Sequence, residues 1–190
     1  RLSYLGIDCT LVDKASFPRD KVCGDAISGK VTTLLNRLDP AILQRFHGEP
    51  VHSSIWGCTF FAPNGKRVRL PFQMQYIGEA GPAPGYVAKR MDFDHFLVEE
   101  VQRRDNIDLR LGVDIQDYQR TEDGWLVRDR QGRFECRCRL LILANGAHSP
   151  FSRREAGLEK DPRHHAGAVR AYYRGVKGMD RDRFIELHFL

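Results

Sequence analysis

No stretch of this 190-residue chain approaches the roughly 18 consecutive apolar residues of a membrane-spanning helix. Tryptophan and methionine are scarce, and no repeat or low-complexity tract interrupts the chain, which excludes solenoids and collagen- or linker-like segments. The five cysteines (Cys9, Cys23, Cys58, Cys136, Cys138) are odd in number and lack the spacing of a disulfide framework. A secreted, disulfide-stapled fold is therefore not expected, and reduced thiols in the cytoplasm are. Cys136 and Cys138 share one strand face without further ligands nearby, a poor zinc arrangement, and His164-His165 reads as a loop with no partner at metal-ligand spacing. No convincing catalytic triad is present. No signal-peptide pattern opens the chain, although the absence means little in a chain that starts inside a domain.

What is present is the composition of one good hydrophobic core: 42% hydrophobic and 29% charged residues. The net charge of +5 leaves room for a cofactor phosphate or an anionic lipid headgroup. The arginines are scattered and form no stripe, which argues against nucleic acid as the primary ligand. Both ends read as interior: residues 1–6 as the last turn of a helix closed by Gly6, and residues 184–190 as a half-buried strand with no turn after it.

Along the chain, residues 7–12 form a strand ending at Asp13. Ser28 caps a helix with Val31, Leu34, Leu35 and Leu38 on its apolar face, broken or restarted by Pro40. Residues 55–61 and 66–72 flank Pro63-Asn64-Gly65 as a hairpin, and a Gly/Pro-rich connector over 78–85 follows. Residues 86–90 are extended, and Asp92 caps a helix running through Arg104. A strand over 107–111 leads into a meander: 113–118 and 125–129 around Glu122-Asp123-Gly124, extended by 134–137. Residues 140–144 are continuously apolar, as a buried parallel strand would be. Residues 168–174 and 184–190 read as paired strands, and Tyr172, Tyr173 and Trp56 as strand and core residues.

The fold class is α/β: a Rossmann-type domain, a parallel sheet carrying an antiparallel meander, plus a second, mostly antiparallel sheet. The expected division is 1–50 with 86–165 for the first domain and 51–85 with 166–190 for the second.

Two sites carry chemistry. An acid at the carboxyl end of a strand, Asp13, is where a Rossmann fold grips the ribose hydroxyls of an adenosine cofactor; the plainer reading is a solvated acid that merely ends the strand. The glycine fingerprint that lies about 20 residues earlier is not here, because only twelve residues precede Asp13. Behind Asp13-Lys14 comes Phe17-Pro-Arg-Asp-Lys-Val-Cys-Gly-Asp25, where Arg19 and Lys21 can face phosphates and Gly24 allows close backbone approach. Asp25 can bond a flavin or order the loop, and Cys23 is either beside a redox centre or a small apolar residue. At the second site the strand 140–144 ends in Ala144-Asn145-Gly146, whose amides can approach a pyrophosphate. Ser149 caps the following turn, and Arg153 or Arg154 can pair with phosphate or a carboxylate. Arg90, at a helix N-terminus, either attracts an anion or pairs with Asp92 or Asp94.

Together these blocks resemble the geranylgeranyl reductase family, within the larger group of FAD enzymes shaped like para-hydroxybenzoate hydroxylase. The resemblance runs through Asp13-Lys14, residues 17–25, Val87-x-x-Arg90-x-x-Phe93-Asp94-x-x-Leu97, residues 143–149 with Arg153-Arg154, and Ala168-Val-Arg-Ala-Tyr-Tyr-Arg-Gly175. It implies FAD held by Asp13, Lys14, Arg19, Arg90 and the turn of Ala144, Asn145 and Gly146, with Cys23, Gly24 and Asp25 near the flavin ring. It also implies an FAD-dependent oxidoreductase in which reduced flavin passes hydride to an isoprenoid double bond of a lipid or lipid precursor. NAD(P)H or another reductant supplies the electrons, and peripheral membrane contact brings the substrate. A monooxygenase or halogenase of the same fold, or a non-catalytic remnant, are the alternatives. The family has Asp where this chain has Asn145. The opening glycine fingerprint, an aromatic-rich substrate segment and a later Gly-Asp motif are outside the chain, so this polypeptide alone is expected to bind FAD poorly.

Overall fold

The computed structural model describes residues 1–73, 82–146, 148–155, 157–159, 161–164 and 166–190. A single 3-10 turn, Ser3–Leu5, closes on Gly6 at φ +69° and leads into strand β1 (Cys9–Asp13). There follow β2 (Ala26–Ile27), helices α1 (Gly29–Leu38) and α2 (Pro40–Gly48), β3 (His52–Ile55), β4 (Gly57–Phe61), β5 (Arg67–Pro71) and β6 (Gly85–Ala88). Helix α3 (Arg90–Gln102), β7 (Ile107–Leu111), β8 (Ile115–Thr121), β9 (Gly124–Asp129), β10 (Glu135–Cys138), the short α4 (Pro150–Arg154), a 3-10 turn at Pro162–His164 and β11 (Phe184–His188) complete the order.

Among the described residues the strands form four small sheets, mixing parallel and antiparallel pairs. β1 lies parallel to β7, with Cys9 opposite Ile107 and Asp13 opposite Leu111. β8, β9 and β10 make the expected antiparallel meander, with a register shift between Ile115 and Asp117. β6 is flanked antiparallel by β2 and β3, and β4 is flanked by β5, antiparallel, and by β11, parallel. Residues 52–55, assigned above to the second domain, thus pair with β6 of the first.

The core forms where α2, α3 and β6 meet. Phe46 has no exposed surface, and its ring meets Tyr86 and Phe93 edge-on, with centroids 5.4 and 5.5 Å away. Val31, Leu35 and Leu38 of α1 pack against this cluster, whereas Leu34, expected on the same face, is half exposed. Asp39 joins the two helices. Its Oδ1 accepts from the Ala41 amide, so Asp39 caps α2 with Pro40 at the first helical position, where a missing N–H costs nothing. Its Oδ2 accepts from Tyr4 Oη at 2.6 Å, tying the first turn of the chain to the helices.

Three expectations need correction. Residues 140–144 enter no ladder: no described strand lies beside them to take their backbone groups, and Leu140 and Ile142 stay largely exposed. Residues 168–174 form no strand either, and β11 pairs with β4 instead. The reason lies at Gly57, where a side chain would strike the Phe184 ring and the Leu70 carbonyl; the absent Cβ lets Phe184 settle on β4, with the Arg69 guanidinium 3.7 Å from the centre of its ring. Consequently Tyr172 and Tyr173 are exposed and belong to neither strand nor core, whereas Trp56 is buried as expected. Finally, α3 begins two residues before Asp92. A carboxylate from elsewhere, Asp25 Oδ1, accepts from the Arg90 amide at 3.3 Å and serves the helix start.

Of the expected connector over 78–85, residues 78–81 lie outside the described residues, and Gly85 already belongs to β6. No described helix is long and apolar enough to cross a membrane.

Candidate functional site

Asp13 ends β1, and its Oδ1 accepts from the Ala15 amide at 2.8 Å, which fixes the carboxylate at the carboxyl edge of the parallel pair. Among the described residues its Oδ2 takes no hydrogen bond. Such an oxygen has the chemistry to accept from a sugar diol. The chain then turns through exposed Lys14 into the loop 17–25.

That loop is anchored on α3. Asp94 is buried, and both of its oxygens are occupied: Oδ1 accepts from Arg90 Nε at 2.8 Å, and Oδ2 accepts from Arg90 Nη2 at 2.8 Å and from Arg19 Nη1 at 2.9 Å. Arg90 therefore makes the Asp94 pair weighed from the sequence, in a bidentate geometry that fixes the guanidinium. Arg19, read as phosphate-facing, is the loop's tether to α3.

The far end of the loop is a tight turn in which Asp25 adopts φ +46°, a left-handed conformation that Asp tolerates better than most residues. Its carbonyl accepts from the Ala88 amide at 3.0 Å. Its carboxylate accepts from the Arg90 amide and, at 2.7 Å, from the hydroxyl of Tyr172. Arg170 reaches the same turn, donating to the Lys21 carbonyl at 2.8 Å and pairing with Asp20.

The electrostatics follow from these contacts. The Arg90 guanidinium beside the exposed Cys23 holds its thiol below the usual range, against a smaller opposing effect of burial and with help from the Gly24 and Asp25 amides. The Asp25 carboxylate pushes the Tyr172 phenol up to about 12. The hydrogen bond from Arg170 keeps the Asp20 carboxyl below the ordinary carboxylate range.

The second candidate site follows residues 140–144. Gly146 sits at φ +84°, with open space where a side chain would be, so a ligand can approach its backbone. Asn145 gives its side-chain hydrogen bond to the Tyr118 hydroxyl, whose phenol is raised chiefly by burial. Tyr118 and Trp125 both pack edge-on against Phe151. Ser149 caps α4 as expected, its Oγ accepting from the Ser152 amide at 3.1 Å, while Arg153 and Arg154 are exposed.

The structure thus gathers Arg19, Cys23, Gly24, Asp25 and Arg90 into one locus and adds Asp94, Asp20, Arg170 and Tyr172. Sequence reasoning missed the roles of the last three because their contacts span about 150 residues of chain; the one signal was that Arg170 and Tyr172 lie in the 168–175 block through which the resemblance was read. Among the described residues no cluster of His, Cys, Asp and Glu could hold a metal ion.

Part of this donor set matches the groups of FAD. A fixed carboxylate with one open oxygen suits the adenosine ribose, and the open glycines at 24 and 146 suit close backbone approach; these features fit. Arg90 is already held by Asp94, so its guanidinium reaches a ligand only while retaining that pair.

No protein-family model matches the chain. It is 26% identical over 160 residues to the menaquinone reductase of Mycolicibacterium smegmatis, covering 78% of this chain and 34% of that protein. Among solved structures it is similar to PqsL, a probable FAD-dependent monooxygenase from Pseudomonas aeruginosa, with a TM-score of 0.62 and 16% identity over 84% of this chain and 42% of that one. It is also similar to the myxobacterial chondrochloren halogenase CndH, a variant of FAD-dependent halogenases, with a TM-score of 0.57 and 17% identity over 71% of this chain and 30% of that one. The chain spans about a third of the length of the curated relative it matches. Its fold is that of FAD-dependent flavoproteins.

Proposed function

We propose that this chain belongs to an FAD-dependent oxidoreductase that reduces a carbon–carbon double bond in an isoprenoid or prenylated lipid. The observation that carries the reading is Asp13, fixed at the end of a parallel strand with one carboxylate oxygen open to a ribose, in a fold shared with FAD-dependent proteins. When bound, FAD supplies hydride chemistry, with NAD(P)H or another reductant as the electron source. The chain's own residues do the rest. Asp13 holds the adenosine ribose, with Lys14 exposed alongside it. The Ala144-Asn145-Gly146 turn admits the pyrophosphate. Asp94 and Arg90 set the loop so that Cys23, Gly24 and Asp25 border the reacting ring.

Two observations favour an isoprenoid substrate. The relative at 26% identity is named for menaquinone, itself a prenylated quinone. The sheet of β4, β5 and β11 also presents an unbroken apolar face of Cys58, Phe60, Val68, Leu70, Ile185 and Leu187, with Val68 and Leu70 more than half exposed. A hydrocarbon chain, or the membrane that stores it, suits such a face.

A second reading, an FAD monooxygenase or halogenase, draws on the similarity to PqsL and CndH. The test is to purify the product of the full reading frame, reduce its flavin without oxygen, and follow reoxidation. Reoxidation by polyprenyl lipids, with a saturated product, supports the reductase. Oxygen consumption coupled to substrate oxygenation or halogenation overturns it.

A further inference from the structure

Residues 166–179 return across the molecule without any described backbone hydrogen bond. Val169 is fully exposed and Tyr173 is 80% exposed. Yet the side chain of Arg170, between them, is only 14% exposed. Among the described residues this segment joins no ladder, and its Arg170 and Tyr172 side chains both grip the 20–25 turn. Arg170 takes the Lys21 carbonyl, Asp20 and, at 3.4 Å, Asp25 Oδ1, while Tyr172 takes Asp25 Oδ2 at 2.7 Å. The two also support each other, with the guanidinium 4.6 Å from the centre of the tyrosine ring.

We propose that Arg170 and Tyr172 are positioning residues: they clamp the 20–25 turn, which carries Cys23, Gly24 and Asp25, against the start of α3 and so set where the Cys23 thiol stands relative to Arg90. Asp25 is held in its left-handed backbone by the Ala88 and Arg90 amides on one side and by the Tyr172 and Arg170 donors on the other. Removing the second set leaves a non-glycine residue in a conformation it does not prefer, and the turn relaxes. Cys23 then loses the alignment of its neighbours.

The charged groups around the turn are Arg90 and Asp94 on α3, Arg19, Asp20, Lys21 and Asp25 in the loop, and Arg170 on the returning segment. Lys89 Nζ lies 5.5 Å from the centre of the Tyr172 ring. The thiol's lowered range, set chiefly by Arg90, is consistent with the clamp holding the turn beside α3. The clamp's value for catalysis rests on the proposed function; its effect on the thiol does not.

The experiment follows Cys23 alkylation by iodoacetamide from pH 5 to 10, without flavin, and resolves it from the other four cysteines by peptide mass spectrometry. Tyr172→Phe and Arg170→Gln are compared with Tyr173→Phe, and denaturant midpoints are recorded for each. Both clamp variants are expected to shift the profile toward the ordinary thiol range and to slow alkylation at pH 7 by about threefold or more, since half a pKa unit changes the thiolate fraction about threefold. Tyr173→Phe is expected to follow the wild type. Should Arg170→Gln fail to fold, the isosteric Tyr172→Phe decides alone. Coincident profiles for wild type and Tyr172→Phe overturn the proposal, whatever the full-length protein does with FAD.

Discussion

The Tyr172 hydroxyl donates to Asp25 Oδ2 at 2.7 Å across 147 residues of sequence, and together with Arg170 the pair joins the end of the 17–25 loop to the returning segment. This gives a spectroscopic prediction. Asp25 holds the Tyr172 proton, so ionisation is deferred to about pH 12. The sign is that of a raised group: the stabilisation is fully present below the ordinary phenol value near 10 and is lost as pH rises through about 12. In the ultraviolet difference titration between wild type and Asp25→Asn, one tyrosine of the six is expected to ionise earlier in the variant. Identical titrations would show that the contact does not form.

Asp94 is the loop's other anchor, buried and accepting from Arg19 and Arg90 together. Replacing it with alanine strands two arginines that are each about a quarter exposed. The expected loss is about 2–4 kcal/mol, below the cost of breaking a fully buried pair because water reaches both guanidinium groups. Urea denaturation should show a lower midpoint with an unchanged slope.

Phe46 has no exposed surface and touches Tyr86, Phe93 and Phe96, the ring of each within 5.5 Å centroid to centroid. Phe46→Ala is expected to cost about 3–5 kcal/mol by lost transfer energy and an unfilled cavity. Phe46→Leu should cost less than half as much. Calorimetry of both variants checks the ratio.

Gly57→Ala tests the second sheet. The added methyl meets the Leu70 carbonyl and the Phe184 ring, so β5 or β11 must shift away from β4. The expected cost is about 1–3 kcal/mol. Faster amide exchange should be concentrated in 57–61, 67–71 and 184–188, and uniform exchange would contradict this account of how β11 chooses its partner.

The local features were legible in the sequence. The hairpin at Pro63-Asn64-Gly65, the meander turn at Glu122-Asp123-Gly124 and the Asp13 strand each announce themselves through residues close in sequence. Features set by distant chain were not. The start of α3 moved because Asp25, 65 residues away, serves the Arg90 amide. Residues 140–144 have the composition of a buried strand, but a strand also needs a neighbour's backbone, which composition does not reveal. Residues 168–174 have the β-branched and aromatic content of a strand, yet β4 took β11 as its partner because Gly57 offers Phe184 a place. At the site, the residue types at Asp13, Arg19, Cys23 and Arg90 were readable, while Arg170 and Tyr172, which come from the far end of the chain, were not.

The most direct test concerns Asp13. FAD affinity of the full reading-frame product should be measured by flavin fluorescence for wild type, Asp13→Ala and Lys66→Ala. Losing a charged acceptor for the ribose hydroxyls is worth about 1.5–3 kcal/mol, so Asp13→Ala should bind FAD roughly 10- to 100-fold more weakly, whereas Lys66→Ala, in the exposed hairpin turn, serves as the control and should be nearly unchanged. Equal affinity of wild type and Asp13→Ala, or a wild-type protein that takes up no FAD, would contradict the account.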